Sequence, residues 1–481
     1  MQNYPTLSTH RSTHSAHGKL AKLSLAAAVL LLTGTVCFSL SEAATNSMVV
    51  RGATAPEAAS TYRVIKRPPA VGDGVGVAMI AFPAKIRTAS GSLRGLFTAD
   101  TVAVDATSVL QGTPAPPGFF REYRRFAHPS LNTAGDVVYR GASAGGDRGI
   151  YQGNSIAVSV VGDLVPTNPV MVPPILSGSL SRFGPPRMTD TAGAIFYVSI
   201  ASPKVVVTPV GVVAINTALI RCYGGDMDCT TANSGGGFGT GTAEVLVAKN
   251  DPVPDRPGRY VCELFTDRPA VSDWGIAFRA QIKFDCGDIN ETALVGHFRL
   301  AYGGAIETIA LEGEVSLPFV GAGGTTYATF KNASAIEDDG VVAFVAKTDG
   351  LERVENVYLC DPAVCPATYA DDIVRHETLV APGTEVKHFV EVTISNAADV
   401  SFRSRVDNSF AGKRGKGIYT YRKATGTFDR IAVKEDEVIP MTGIEYRRVF
   451  LHSTSPQGRI AFRAIVRTVG GKRTIGIYLV D

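Results

Sequence analysis

Short segments in which apolar and polar residues alternate recur along almost the whole chain after residue 43. Between residues 131 and 166 they read G-D-V-V-Y-R from Gly135, R-G-I-Y from Arg148 and V-V-G-D from Val160. Alternation over about four to eight residues, bounded by Gly, Asp, Asn or Pro, is typical of short strands joined by tight turns. After residue 43 no segment sustains an apolar period of 3.6 residues, so we predict a nearly all-β protein.

An aromatic residue in the second segment of each unit marks seven copies of the pattern. The markers are Phe82, Tyr139, Phe196, Phe278, Phe344, Phe402 and Phe462, and they lie 57 to 66 residues apart except for one interval of 82. Repeats of this length with four strand-like segments indicate the blades of a β-propeller. The long interval predicts an insertion in the third copy, at residues 201–241.

The two ends of the chain complement each other. The seventh copy stops at Asp481 after its third segment, and M-V-V-R-G from Met48 parallels the fourth segment of the first copy, S-V-L-Q-G from Ser108. An N-terminal strand that completes the last blade would close the ring and cover both ends of the row of sheets. We therefore predict a single seven-bladed β-propeller over residues 44–481. The alternative, an open solenoid, would need polar capping repeats, and neither end shows them.

Residues 1–43 have the features of a secretory signal peptide. Three basic residues, Arg11, Lys19 and Lys22, precede a mostly apolar run of 18 residues from Leu23 to Leu40, and small residues follow at the cleavage positions. We predict that the protein is exported and is periplasmic or extracellular. The alternative is an uncleaved signal anchor, because 18 residues are borderline for a bilayer core of about 30 Å. Only this segment would then contact a membrane.

Six cysteines follow the predicted signal, and an even number in an exported protein suggests disulfides. They are Cys222, Cys229, Cys262, Cys286, Cys360 and Cys365. Local pairing joins the first two and the last two and leaves the middle pair, although six cysteines allow 15 connectivities. None of them has His residues at zinc-finger spacing. We therefore predict disulfides, no metal site and no cofactor.

The charge balance argues against nucleic acid as a partner. The chain has 47 Lys and Arg against 44 Asp and Glu, and without the three basic residues and one acidic residue of 1–43 the counts become 44 and 43. Nucleic-acid-binding proteins usually concentrate their basic residues on one face. Here these residues are spread along the chain, so we predict no nucleic-acid binding.

Arginine and tyrosine recur near the start of the predicted inner strands, which would surround a central channel. The candidates for ligand binding there are Tyr62, Arg63, Tyr123, Arg124, Arg182, Tyr446 and Arg447. Converging guanidinium groups suit a carboxylate, a phosphate or an acidic sugar, because their planar donors match these anions. The alternative is that acidic residues of comparable segments, such as Glu263 and Glu391, neutralise the arginines.

The sequence contains no recognisable catalytic constellation, since H-E-x-x-H, G-x-S-x-G and P-loop patterns are all missing. The repeated G-x-V-A-F, G-I-Y and G-D segments resemble the tandem repeats of uncharacterised secreted bacterial proteins. That resemblance implies a propeller and no particular activity. We therefore favour an exported binding or protein-interaction scaffold over an enzyme, with an unknown protein or an anionic small molecule or glycan as its partner. The alternative is a hydrolase or lyase acting on a sugar or lactone in the channel.

Overall fold

The computed structural model describes residues 45–481, except for 58–59, 66, 74–77, 101–105, 115–121, 147, 155, 165, 167–177, 202–204, 209–210, 225–226, 231–239, 266–268, 318–324, 350–353, 364, 366–370, 376, 382, 409–412 and 435–443. The predicted signal peptide, residues 1–43, lies outside the described residues. All described residues belong to one compact unit, residues 40–481. None of their elements is a helix with the length and apolar character needed to cross a membrane.

Each of the first three blades is an antiparallel sheet whose strands follow one another along the chain. The first blade consists of β2 (Thr61–Ile65), β3 (Ala70–Asp73), β4 (Ala78–Thr88), β5 (Gly91–Ala99) and β6 (Ala106–Leu110). The second consists of β7 (Tyr123–Leu131), β8 (Val137–Ser143), β9 (Arg148–Gln152) and β10 (Ile156–Val160). The third consists of β11 (Ser179–Phe183), β12 (Arg187–Thr189), β13 (Gly193–Ala201), β16 (Thr217–Tyr223) and β17 (Thr242–Ala248). A separate hairpin, β14 (Val205–Thr208) and β15 (Gly211–Ala214), lies within the predicted insertion.

The next three blades have the same antiparallel order. The fourth consists of β18 (Tyr260–Leu264), β19 (Ala270–Val271), β20 (Gly275–Lys283), β21 (Leu294–Ala301) and β22 (Ile306–Leu311). The fifth consists of β23 (Val315–Leu317), β24 (Thr325–Ile336), β25 (Val342–Asp349), β26 (Glu355–Cys360) and β27 (Asp371–Val374). The sixth consists of β28 (Leu379–Ala381), β29 (Thr384–Ile394), β30 (Val400–Asn408), β31 (Lys413–Arg422) and β32 (Thr427–Val433).

The seventh blade confirms the predicted closure. It consists of β33 (Glu445–Thr454), β34 (Ile460–Arg467), β35 (Arg473–Val480) and, as its outer strand, β1 (Thr45–Val50). β1 runs antiparallel to β35, with Thr45 opposite Val480 and Val50 opposite Gly476. The inner strands also contact one another in a complete circle, from β3 through β7, β12, β19, β24, β29 and β33 back to β3. The chain is therefore a closed seven-bladed β-propeller.

Apolar side chains form a core at each interface between neighbouring blades. The seven marker aromatics are at most 1% exposed. Tyr139 shows the arrangement, because it packs with Tyr123 and Tyr151 against the first blade while the preceding residue, Val138, packs against the third. Adjacent residues of a strand point to opposite faces of its sheet. The alternating pattern of the sequence therefore reflects sheets that are buried on both sides.

The repeated aromatic and glycine residues are packing positions. In the first blade the rings of Tyr62, Phe82 and Phe97 form one group, with centroids 5.2 to 5.9 Å apart. The glycine of the G-I-Y segment makes room for the last ring of such a group. In the sixth blade a Cβ atom on Gly417 would come within 2.7 Å of the Tyr419 ring. The segments that identify the repeat thus specify the interfaces between blades.

Three disulfides confirm the predicted pairing. They join Cys222 to Cys229, Cys262 to Cys286, and Cys360 to Cys365, with sequence separations of 7, 24 and 5 residues. Each bond links residues of one blade and none connects two blades. The disulfides therefore restrain loops within blades, whereas the ring itself is held by strand pairing and interface packing.

We expect the disulfide between Cys262 and Cys286 to contribute most to stability. It closes the longest of the three loops, and the loss of chain entropy in the unfolded state grows with loop length, to about 3 kcal/mol here against about 2 kcal/mol for the shorter loops. Replacing both cysteines with Ala should lower the free energy of unfolding, measured with urea, by about that amount. The matched control is the Cys360→Ala, Cys365→Ala variant. A larger loss in the control than in the test variant would contradict this order.

Candidate functional site

Every inner strand has a β-bulge close to its start. In the first blade the pairing register slips between Tyr62 and Val64, so that Arg63 is the extra residue. The corresponding slips make Arg124 the extra residue of β7 and Arg447 that of β33, and the other four blades have them too. A bulge breaks the strict alternation of side chains and re-aims those next to it. The predicted channel arginines therefore lie at or next to a bulge, where the direction of a side chain does not follow the regular alternation of a strand.

The three predicted tyrosines lie in the cores between blades. Tyr62 and Tyr123 are 1% exposed and Tyr446 is 2% exposed. Each ring packs against the marker aromatic of the second strand. Burial raises the pKa of the Tyr62 and Tyr123 hydroxyls well above the ordinary value for a phenol. These three tyrosines support the ring of blades structurally, and burial keeps the hydroxyls of Tyr62 and Tyr123 uncharged at physiological pH.

Two of the predicted arginines, Arg63 and Arg182, line one cavity of about 720 Å³, whose lining residues come from the first three blades. We call it the cationic cavity. Its basic lining residues are Arg63, Arg67, Lys85, Arg94, Arg125, Arg140, Arg148 and Arg182. Its described lining contains no Asp or Glu, and none of the eight forms an ion pair with another described residue. Within the described part of the chain, no acidic side chain neutralises the arginines of this cavity.

The cations of the cavity interact unfavourably with one another. Burial first, and then the positive charges of Arg67 and Arg148, lower the pKa of Arg140. Arg140 is fixed in place, since its Nη1 atom donates a hydrogen bond to the carbonyl oxygen of Phe183 in the next blade at 3.0 Å. Like charges inside a partly buried site are screened less than on an open surface. A bound anion would relieve this repulsion.

Arginines at the position of Arg140 make the same hydrogen bond in other blades, which indicates that Arg140 has a structural role. Arg279 donates from Nη1 to the carbonyl oxygen of Phe330 at 3.0 Å. Arg463 donates in the same way to Ile65 at 3.1 Å. In each case the arginine follows the marker aromatic and reaches the inner strand of the next blade. Arg140 therefore fastens two blades, and the exposed arginines of the cavity are those available to a ligand.

The other predicted arginines lie outside the cationic cavity. Arg124 is exposed and lines a smaller cavity of about 290 Å³, together with Lys85, Arg94 and Arg125. Arg447 is half-buried on β33 in the seventh blade. The structure thus brings Arg63 and Arg182 together, places Arg124 beside them in an adjoining cavity, and leaves Arg447 elsewhere.

Several residues of the cationic cavity were not predicted from the sequence, because they come from second and third strands. One signal could have indicated them. In the first blade Lys85 of β4 lies directly opposite Arg94 of β5. Like charges opposite each other on antiparallel strands are destabilising. A hairpin that places two cations face to face is therefore a sign of a site for an anion.

A smaller cavity of about 300 Å³ is lined by inner-strand and turn residues from all seven blades. Its carboxylates connect neighbouring blades. Asp190 accepts a hydrogen bond from the Thr133 amide at 2.9 Å, and Asp273 accepts one from the Thr191 amide at 3.1 Å. Asp338 accepts one from the Asp273 amide at 2.9 Å. Among the described residues, no three His, Cys, Asp or Glu side chains are grouped so that they could hold a metal ion.

A hydroxyl, an imidazole and a carboxylate meet between the sixth and seventh blades. Thr393 Oγ1 lies 3.0 Å from His452 Nε2, and His452 Nδ1 lies 3.4 Å from Glu391 Oε2. The Thr393 oxygen is also 2.6 Å from Thr454 Oγ1, and the His452 side chain is fully buried. A catalytic nucleophile must reach its substrate. Because neighbouring groups already engage this hydroxyl, we interpret the group as a polar link between two blades.

Comparison with known proteins identifies similar propeller structures and a matching protein family. No curated protein matches the chain. Similar solved structures include the Dos1 propeller, at 10% identity over 90% of this chain and 95% of that chain with a TM-score of 0.36. The β-propeller domain of the trilobed protease from Pyrococcus furiosus is 8% identical over 86% and 94%, with a TM-score of 0.41. The acylaminoacyl peptidase of Pyrococcus horikoshii is 7% identical over 85% and 52%, with a TM-score of 0.40. Residues 10–356 and 276–480 match a family of unknown function (DUF7453), and the chain belongs to that family.

Proposed function

We propose that this protein is an exported binding scaffold whose cationic cavity holds an anionic ligand. The observation that supports the proposal most strongly is a lining of eight basic residues without a described carboxylate. Clefts lined by one sign of charge focus the electrostatic field and concentrate ions of the opposite sign. Export rests on the signal-like character of residues 1–43 and agrees with three disulfides, which persist in oxidising compartments.

The size and composition of the cationic cavity fit a small organic anion or one unit of a larger one. Its volume of about 720 Å³ lies within the range of about 300 to 1,000 Å³ that is usual for ligand sites. Apolar residues, among them Val64, Pro83 and Ala84, also line the cavity. A ligand that combines anionic groups with a carbon skeleton, such as an acidic sugar, would contact both kinds of surface.

Three arginines of the cavity, Arg63, Arg125 and Arg182, come from the innermost strands of the first three blades. Their side chains are exposed and, like those of Arg94 and Arg148, form no hydrogen bond or ion pair with any described residue. A guanidinium group offers a rigid set of donors that matches the paired oxygens of carboxylate, sulfate or phosphate. Charge-assisted hydrogen bonds of this kind are about twice as strong as neutral ones. We assign the ligand contacts to these three residues.

The proposal predicts a large loss of anion binding when the three arginines are neutralised. In the Arg63→Gln, Arg125→Gln, Arg182→Gln variant, affinity for galacturonate and for inorganic sulfate should fall at least about a hundredfold, since one charge-assisted contact is worth roughly tenfold. Titration calorimetry and NMR titration measure this loss. Native affinity should also fall as ionic strength rises.

The matched control is the Arg51→Gln, Arg87→Gln, Arg473→Gln variant, which removes the same charge from exposed positions outside the cavity. It should bind both anions as the native protein does. The test variant should melt no lower than the native protein, because it removes like-charge repulsion and no described contact. Equal binding by the test and control variants, or no binding of either anion by the native protein, would overturn the proposal.

A further inference from the structure

The cationic cavity continues outward along the first blade, where it borders the innermost strand of the second blade. The smaller cavity of about 290 Å³ is lined by Lys85, Ser92, Arg94, Gln111, Arg124 and Arg125. Three of these residues, Lys85, Arg94 and Arg125, also line the cationic cavity. The two cavities therefore adjoin and form one basic groove.

The groove is longer than a single small anion. At its inner end lies Arg63 on β2, the innermost strand of the first blade, and at its outer end lies Gln111, directly after β6, the outermost. The order of that sheet is β2, β4, β5 and β6, so the groove spans three strand spacings, or about 14 Å. This length exceeds that of one sugar ring, so the groove can hold a chain of several linked units.

We infer that the groove binds an acidic polysaccharide, with one sugar acid in the cationic cavity and further units extending past Arg124 to the edge of the first blade. This inference rests on the proposed function and names its ligand class. Arginines recur along the groove, as repeated anionic groups on a polymer would require. The neutral side chains of Ser92 and Gln111 at the outer end can hydrogen-bond sugar hydroxyls.

The lining is less suited to a single-stranded nucleic acid, the other common linear polyanion. Proteins that bind single strands stack the bases on exposed aromatic rings. The rings in the described lining are those of Phe126 and Phe183, which are 8% and 5% exposed and belong to the cores between blades. The groove thus offers charge and hydrogen bonds without a stacking surface.

The test compares ligands of increasing length on the native protein and on the Arg124→Gln variant. Affinity for oligogalacturonates, expressed per sugar unit, should rise from the monomer to the tetramer and then level off. Arg124 lines only the outer cavity, so Arg124→Gln should weaken tetramer binding about tenfold and leave monomer binding unchanged. Arg87→Gln is the matched control and should bind both as the native protein does. Sulfated oligosaccharides of the same lengths show whether carboxylate or sulfate is preferred.

The outcomes separate this inference from the proposed function. If monomer and tetramer bind equally per unit, or if Arg124→Gln has no effect on the tetramer, the extended site is wrong while the anion site stands. If oligothymidylate or polyglutamate binds as tightly as the tetramer at equal charge, the assignment to a polysaccharide is wrong. If no acidic sugar binds at any length, both proposals fail.

Discussion

Removing residues 45–50 should cost most of the stability of the propeller. These residues form β1, the outer strand of the seventh blade, and their loss would leave β35 with an unpaired edge. Val49 is 1% exposed and packs with Ile477 and Leu479 in the core that also holds Tyr62 of the first blade. The deletion therefore damages both the last sheet and the seam of the ring. Because domains are stable by only about 5 to 15 kcal/mol, we expect a lower urea midpoint and a melting temperature reduced by many degrees, measured by circular dichroism.

A point substitution tests the same strand without shortening the chain. Val49→Asp would bury a charge in the seam, and we expect it to lower the free energy of unfolding by about 3 kcal/mol or more. Val50→Asp is the matched control, because Val50 is half-buried and neighbouring residues of a strand face opposite sides. A separate peptide of residues 45–56 should partly restore the deletion variant. An unchanged midpoint in the deletion variant would show that β1 does not close the ring.

The ring and the disulfides could be predicted from the sequence because local patterns determine both. Each blade repeats the same buried alternation, and the missing fourth segment at one end is present at the other. The cysteine pairs are close in sequence, so short loops brought them together. The turn residues are also determined locally. The buried Asp163 carboxylate accepts a hydrogen bond from the Val160 amide at 2.7 Å, within its own turn.

The candidate site could be predicted only in part, because it depends on register. The sequence placed tyrosine and arginine together at the start of the inner strands, but one extra residue at each bulge decides which of them enters the core. Tyr62, just before the bulge, is buried, and its exposed neighbour Arg63 is the extra residue of the bulge. Arg94 and Arg148 come from the third strands of two different blades. They join the cavity only because strands pair within each blade and the blades pack side by side. Period-two alternation contains no information about either effect.

A buried histidine should make the protein sensitive to mild acid. His297 on β21 is 1% exposed, and its ring lies 5.1 Å from the rings of both Phe330 and Phe344 in the core between the fourth and fifth blades. Burial first, and then the charge of Arg279, lower its pKa from 6.5 to about 3. Below pH 6.5 the unfolded chain therefore binds a proton that the folded protein does not accept. Lowering the pH stabilises the unfolded state relative to the folded one.

The expected loss from His297 is about 3 kcal/mol at pH 4, because each pH unit between the two pKa values contributes about 1.4 kcal/mol. His297→Phe should keep the aromatic packing and remove this loss, so its advantage over the native protein in urea denaturation should grow from pH 7 to pH 4. The matched control is His388→Gln, which removes a histidine whose side chain is 54% exposed and lies 3.6 Å from the Glu355 carboxylate; the advantage of His297→Phe at pH 4 should be absent from this variant. If His297→Phe and the native protein lose stability in parallel between pH 7 and pH 4, His297 is protonated in the folded state and its core is open to water.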